Sequence, residues 1–269
     1  MPGDFLHTTL GNTGIPVFRL GLSATYRPGK QTIHKALDEG INYFFCYGFD
    51  THMLKVLREV FKTDRERLVV ATGAYNYWLG HQNLQRTLEK RLRQLRTDYI
   101  DVFQLLWVGE RALTSRTQDE LAAIRESDKV RAVAISTHNR KLAGVLAANG
   151  SLDALMIRYN AAHRGAEEDI FPRLAVHNPG IVAYTATRWR RLLKRPHGWP
   201  VDGRVLTAGE CYRFVLSNPN VHVCLTAPSN IEHLEQNLAA IRRGPLTDED
   251  MQFMRAFGEA VHAEQRWFM

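Results

Sequence analysis

Cysteine is scarce: Cys46, Cys211 and Cys224 are the whole complement in 269 residues. Their odd number and wide spacing exclude a disulfide framework or a cysteine-based zinc cluster as the basis of the fold, and they read as buried thiols. No apolar run approaches the ~20 residues that a membrane-spanning helix needs. Residues 1–10 lack the basic head and apolar stretch of a secretory leader. Low-complexity tracts are absent, and no GxGxxG follows the first predicted strand, the usual mark of an open dinucleotide-binding sheet. These absences point to a cytoplasmic, globular protein with no membrane partner.

What is present is ample core material, 45% hydrophobic and 10% aromatic residues. The length suits one α/β barrel, and residues 1–269 are expected to form a single domain. The net charge is +7 and the isoelectric point about 9.4. Basic residues such as Arg86, Lys90, Arg91, Arg93 and Arg96 are strung along a helical pattern, which reads as a solvated face and not as a nucleic-acid surface. Residues 188–195, RWRRLLKR, are the exception, and place five basic side chains in one predicted loop suited to an anionic ligand.

Residues 9–18, TLGNTGIPVF, read as an N-terminal hairpin with a glycine-bearing turn. Eight apolar segments follow, at 17–23, 41–46, 68–72, 99–106, 130–136, 152–158, 180–184 and 221–225. Helical patterns follow them at 30–39, 50–62, 83–95, 118–125, 140–148, 166–176, 208–217 and 230–241, and a terminal helix is predicted at 247–262. Near-continuous apolar strands fit a parallel sheet covered on its outside. Eight of them predict a (β/α)₈ TIM barrel with an N-terminal β-hairpin and an extra C-terminal helix. An open doubly wound sheet is the alternative.

The last unit, VHVCLTAPSNIEHLEQN at 221–237, delivers a strand through a short turn to a helix. Ser229 followed by Glu232 reads as a capping box. A helix start at a strand's carboxyl end offers free N–H groups to a phosphate, or is simply a capped helix without a ligand.

Several segments together resemble the aldo-keto reductases over nearly the whole chain. They are TLGNTGIPVFRLGLS, EGINYFF, LRTDYIDVFQLLW, VRAVAIST, IRYNAAHRGAEEDIFP and SNIEHLEQN, in order and at barrel spacing. The resemblance implies an NADPH-dependent carbonyl reductase working at the carboxyl ends of the strands. The family's chemistry uses a tyrosine proton donor, a lysine and an aspartate that tune it, and a histidine that orients the substrate oxygen. Matched position by position, Leu106 stands at the histidine and Gly73 at the lysine. FFCYGFD aligns Phe45 with the aspartate, or Tyr47 and Gly48 with the tyrosine and its glycine. Tyr47 is thus the one catalytic residue implied. Without a neighbouring ammonium its acidity stays near that of an ordinary phenol. The alternative is that Tyr47 lines the mouth with Phe44 and Phe49.

The resemblance places the cofactor more fully. Tyr184 matches the tyrosine that stacks on nicotinamide and Ser136 a serine at the carboxamide. His138 stands near the family's asparagine, and Met156 near its glutamine. Ser229, Asn230, Gln236 and Asn237 match the phosphate helix. His233 replaces an arginine that contacts the 2′-phosphate, so NADP and NAD both stay open, with Arg188, Arg190 and Arg191 available for anion contacts. Tyr26, Tyr75, Tyr77, Trp78, Trp107, Trp189, Trp267 and Phe268 are candidates for an apolar mouth that takes a small molecule. No metal site is expected.

Three functions follow. The first is an NAD(P)(H)-dependent oxidoreductase on carbonyl or alcohol substrates, with weak or altered chemistry. The second is a catalytically inactive barrel that binds a dinucleotide or another anion as a sensor or partner subunit. The third is non-redox chemistry recruiting His138, Cys46 or Arg158.

Overall fold

The computed structural model describes residues 4–75 and 82–264. Strands β1 (His7–Thr9) and β2 (Pro16–Phe18) form the expected hairpin, with Thr8 opposite Val17. Gly11 takes φ +53° in its turn, and a Cβ there would overlap the Asn178 carbonyl oxygen, so glycine is required. Leu10 and Ile15 are fully buried against residues of the barrel interior, which makes the hairpin a plug at the amino ends of the strands.

The segment predicted as one strand over 17–23 is divided. Arg19 leaves the strand direction, and its Nη2 donates to the carbonyl oxygens of Leu216 and Val221 at 2.7 and 2.8 Å. A buried guanidinium held by carbonyls therefore separates hairpin from barrel. The barrel strands are β3 (Leu20–Ser23), β4 (Tyr43–Phe45), β5 (Val69–Ala74), β6 (Ile100–Leu105), β7 (Val130–Ser136), β8 (Ala154–Arg158), β9 (Gly180–Tyr184) and β10 (Val223–Thr226). They run parallel and close in the order β10-β3-β4-β5-β6-β7-β8-β9, with Cys224 opposite Leu20 at the seam. Alternation sorts their side chains: Tyr43, Val69, Val102, Ala132, Ala154, Val182 and Val223 fill the interior, while Phe44, Val70, Phe103 and Val133 pack under the helices.

The helices are α1 (Lys30–Asp38), α2 (Thr51–Val60), α3 (Leu84–Leu95), α4 (Ser115–Arg125), α5 (Arg140–Asn149), α6 (Ala166–Asp169), α7 (Ala208–Ser217), α8 (Ile231–Ile241) and α9 (Asp248–Ala263). The helix expected over 166–176 is cut to one turn, because Pro172 admits only a short 3₁₀ turn, Phe171–Arg173, after it. The expected cap of α8 also moves by one: Asn230, not Ser229, accepts from the His233 N–H, and the Ser229–Glu232 box does not form. The capping box that does form is Thr207–Glu210 at α7. The expected extra C-terminal helix is α9, and the Thr247 side chain caps it by accepting from the Asp250 N–H. Among the described residues, no helix is long and apolar enough to cross a membrane.

Candidate active site

The carboxyl ends of the strands form the open mouth. Tyr47 follows β4, and its ring packs edge-on to Phe45 and Tyr75 at 4.7 and 4.8 Å and parallel to Phe49 at 5.5 Å. Phe44 points the other way, under the helices, and does not line the mouth. The Tyr47 hydroxyl shares a hydrogen bond with Thr25 Oγ1 at 2.8 Å, and Thr25 Oγ1 lies 2.7 Å from Ser23 Oγ. Burial raises the Tyr47 pKa, and the hydroxyls of Thr25, Tyr75 and Ser23 pull it partly back. Tyr75 continues the aromatic row to Trp107, 5.0 Å away. Tyr77, Trp78, Trp267 and Phe268, also expected at the mouth, lie outside the described residues.

Asp50 stands at the N-cap of α2 but its side chain makes no cap hydrogen bond. Its Oδ2 instead accepts from the Tyr47 N–H at 2.6 Å and from Cys46 Sγ at 3.6 Å, which braces the loop that carries Tyr47. Cys46 is buried and its thiol is pushed up to about 12, chiefly by that burial, which removes it as a nucleophile.

Phe45 and Leu106 are buried in the interior cluster, so hydrocarbon fills both strand ends. At Gly73 a Cβ would overlap the Gln104 carbonyl oxygen. Arg91 belongs to no solvated face, contrary to the reading of its helix. It is buried, and its Nε donates to the Gly73 carbonyl oxygen at 3.0 Å while its Nη1 donates to Gln94 Oε1 at 2.8 Å. The helical period marks the position, because Arg91 falls on the same stripe as Leu84, Leu88, Leu92 and Leu95, whereas Arg86 and Arg93 lie on the exposed face.

Across the mouth, Ser136, His138 and Tyr184 come together. Ser136 ends β7 and is buried, and the Tyr184 hydroxyl lies 3.4 Å from His138 Nδ1. Burial raises Tyr184 to about 12, with Arg158 and the Ser136 hydroxyl opposing it. His138 is shifted down by burial and by Arg158, and therefore stays neutral at pH 7. Met156 pairs with Ser136 in register, and Arg158 with Tyr184.

The seam puts the start of α8 between the ends of β3 and β9, beside both groups. Ser229, Asn230 and Gln236 are exposed there. Asn237 is buried, and its Nδ2 donates to Thr226 Oγ1 at 3.3 Å, fastening helix to strand. In the long loop after β9, Thr185, Arg188, Trp189 and Arg190 all have positive φ, of 57°, 50°, 50° and 69°. This left-handed run is strained for residues with a Cβ. Arg188 is turned inward by it and donates from Nη1 to the Val261 carbonyl oxygen at 2.5 Å, so it does not offer the expected anion contact; Arg190 and Arg191 remain exposed. A cavity of about 410 Å³ opens between Trp107, Val108, Gly109, Thr137, His138 and Asn139.

Residues that the sequence reading missed are Ser23, Thr25, Asp50 and Arg91. Ser23 and Thr25 flank the end of β3, and their proximity to Tyr47 follows only from the β3–β4 pairing.

Comparison with known proteins agrees with this architecture. The profile of the Aldo/keto reductase family matches residues 22–195. The aldo-keto reductase YhdN of Bacillus subtilis is 27% identical over 189 residues, a match that spans 62% of this chain and 57% of that protein. The L-glyceraldehyde 3-phosphate reductase of Escherichia coli K12 is 25% identical over 243 residues, covering 78% of this chain and 70% of the other. The holo structure of aldo-keto reductase AKR11C1 from Bacillus halodurans superposes with a TM-score of 0.79 at 19% identity, over 96% of this chain and 98% of its own. With more than half its length matched by the family profile, this chain belongs to the aldo/keto reductase family of oxidoreductases.

Proposed function

We propose that the protein is an NAD(P)(H)-dependent carbonyl reductase in which Tyr47 is the proton donor and the polar support around it is of an altered kind. The observation that carries this reading is the opposition, across one mouth, of the Tyr47–Thr25–Ser23 hydroxyl chain and the Ser136–His138–Tyr184 group. The residues fit a dinucleotide. Tyr184 presents a ring at a strand end, Ser136 a hydroxyl beside it, and α8 an exposed first turn in which the Asn230 side chain engages one N–H, that of His233. Arg190 and Arg191 can add charge for the phosphates.

When bound, the dinucleotide supplies a hydride to the carbonyl carbon. Tyr47 then gives its phenolic proton to the carbonyl oxygen. Thr25 and Ser23 hold the phenol in place and relay a replacement proton from the mouth. Hydrogen bonds from hydroxyls stabilise the developing phenolate less than an ammonium does, so turnover is slow. Phe45, Tyr75 and Trp107 exclude water from the reacting atoms.

A second reading is favoured by the hydrocarbon at Phe45 and Leu106: a barrel that binds the dinucleotide as a sensor and turns nothing over. Nucleotide fluorescence during titration with NADPH and NADH tests what both share, and absence of binding at millimolar cofactor overturns both. NADPH oxidation with a panel of reactive aldehydes divides them. Turnover abolished in Tyr47→Phe supports the reductase, and binding without turnover supports the sensor.

A further inference from the structure

The loop that carries Tyr47, residues 46–50 between β4 and α2, is held by two buried side chains of opposite charge, its own Asp50 and Arg91 of α3. We propose that Asp50 and Arg91 are positioning residues for Tyr47: acting through the backbone of this loop, they latch it to the barrel and set where the phenol stands in the mouth. This rests on the reductase reading for what Tyr47 does there, and on the loop contacts alone for the latch.

Neither side chain performs the task its place in the chain suggests. Asp50 stands at the start of α2 without capping it, and its Oδ2 turns back to accept from the Tyr47 N–H at 2.6 Å and from Cys46 Sγ at 3.6 Å. The N–H groups of Gly48 and of Asp50 itself also act on that carboxylate. Arg91 lies on the apolar stripe of α3, donates from Nε to the Gly73 carbonyl oxygen at 3.0 Å and from Nη1 to Gln94 Oε1 at 2.8 Å, and rests on Gly48. A Cβ on Gly48, whose φ is +87°, would overlap Arg91 Nη1, so the guanidinium lies directly against the loop backbone.

Three consecutive residues are therefore fixed by three different groups. The Cys46 N–H donates to the Ala71 carbonyl oxygen at 2.9 Å, the Tyr47 N–H to Asp50, and Gly48 meets Arg91. Ala71 and Gly73 both belong to β5, the strand that leads into Tyr75, whose ring packs on that of Tyr47 at 4.8 Å. The latch thus refers the Tyr47 loop to β5, while Thr25 holds only the hydroxyl end of the side chain. A planar guanidinium can grip two acceptors and lie flat on a backbone without a Cβ, whereas an ammonium is a single point charge.

The Asp50 charge has a second effect. The titratable groups around Tyr47 are Asp50 and Cys46 on its own loop, Tyr75 after β5, and Arg91 beyond Gly48. After burial, which is the larger cause, Asp50 weakens the phenol as an acid, while the hydroxyls of Thr25, Tyr75 and Ser23 act the other way.

Two arms test this. The first needs no cofactor: Ellman's reagent on the wild-type chain, Arg91→Met and Asp50→Asn, each checked for fold by circular dichroism. The wild type should show no reactive thiol, and each variant should show one, mapped to Cys46, with Cys211 and Cys224 still silent. Silence of Cys46 in both folded variants overturns the latch. Asp50→Asn keeps the shape of the side chain, and decides this arm by itself if Arg91→Met does not fold. The second arm follows aldehyde reduction under NADPH and the pH dependence of alcohol oxidation. Arg91→Met should lower kcat at least about tenfold with KM changed less than about twofold, and Arg91→Lys should recover part of the loss. Asp50→Asn should move the rise of the oxidation rate to lower pH, which a loss of stability alone does not do. Wild-type kcat in Arg91→Met together with an unmoved pH profile in Asp50→Asn overturns the positioning role. Absence of turnover in the wild type counts against the reductase reading, while the first arm still decides the latch.

Discussion

Arg91 Nε donates to the carbonyl oxygen of Gly73 at 3.0 Å, so a cation from α3, on the outside of the barrel, ends on the backbone of β5. The guanidinium also packs on Gly48, whose φ of +87° and missing Cβ leave room for it. This arrangement makes the glycine at 73 difficult to replace. Gly73→Lys should destabilise the fold by roughly 2–4 kcal/mol, because its Cβ must displace the Gln104 backbone on β6. Urea unfolding measures it, and a midpoint equal to the wild type's would show that the strands part freely there.

The raised pKa of Tyr47 sets the pH dependence of the proposed reaction. The protonated phenol, which is the form that donates, persists beyond the ordinary tyrosine range, so the carbonyl-reduction rate should be level from about pH 6 to about pH 9. Alcohol oxidation, which needs the phenolate, should rise over the same interval. A reduction rate that falls with a midpoint near neutrality would assign the proton to another group.

His222 is a source of acid sensitivity away from the mouth. Its Nδ1 accepts from the Ile181 N–H at 2.9 Å, and burial followed by Arg19 lowers its pKa to about 4. In the unfolded chain the imidazole takes its proton near pH 6.5. Between these values the unfolded chain binds more protons, so the stabilisation is complete above about pH 6.5 and is lost as the pH falls toward 4. Denaturant unfolding should show about 2–3 kcal/mol lost through this group between about pH 7.5 and about pH 4.5. The loss should shrink in His222→Gln, and an unchanged slope would refute the assignment.

The thiols should be silent. Cys46, Cys211 and Cys224 are all buried, and burial raises each pKa, that of Cys46 to about 12. A disulfide reagent such as Ellman's should find no reactive thiol in the native chain and three after denaturation. Rapid labelling of one thiol in the folded protein would revive a nucleophilic role for Cys46.

The barrel was readable because its signal is repetitive: eight apolar segments, each followed by a helical pattern, over-determine the fold even where single boundaries slip. Boundaries slipped where one residue overrode the local pattern, as Arg19 does by turning to the Leu216 and Val221 carbonyls, and as Pro172 does by ending α6. The mouth was partly readable. Tyr47, Ser136, His138 and Tyr184 sit at strand ends, and position along a strand is a one-dimensional property. Thr25 and Arg91 were not readable as site residues. Thr25 depends on which side chain of a neighbouring element it meets; Arg91 shares the apolar stripe of Leu84, Leu88, Leu92 and Leu95, so its burial follows from the helical period while its partner, the Gly73 carbonyl, does not.

The seam between β3 and β10 gives the barrel a history as well as a shape. Leu20 waits for Cys224, about 200 residues later in the chain. At roughly 5–20 residues per second, synthesis leaves that edge of β3 without its partner for roughly 10–40 s. During this time the hairpin, the earlier strands and their helices can assemble, yet one row of backbone donors and acceptors stays open to other chains. Completion of the ring is therefore the step at which a nascent chain ceases to be a partner for its neighbours, and the seam beside α8 governs soluble yield before it governs any chemistry.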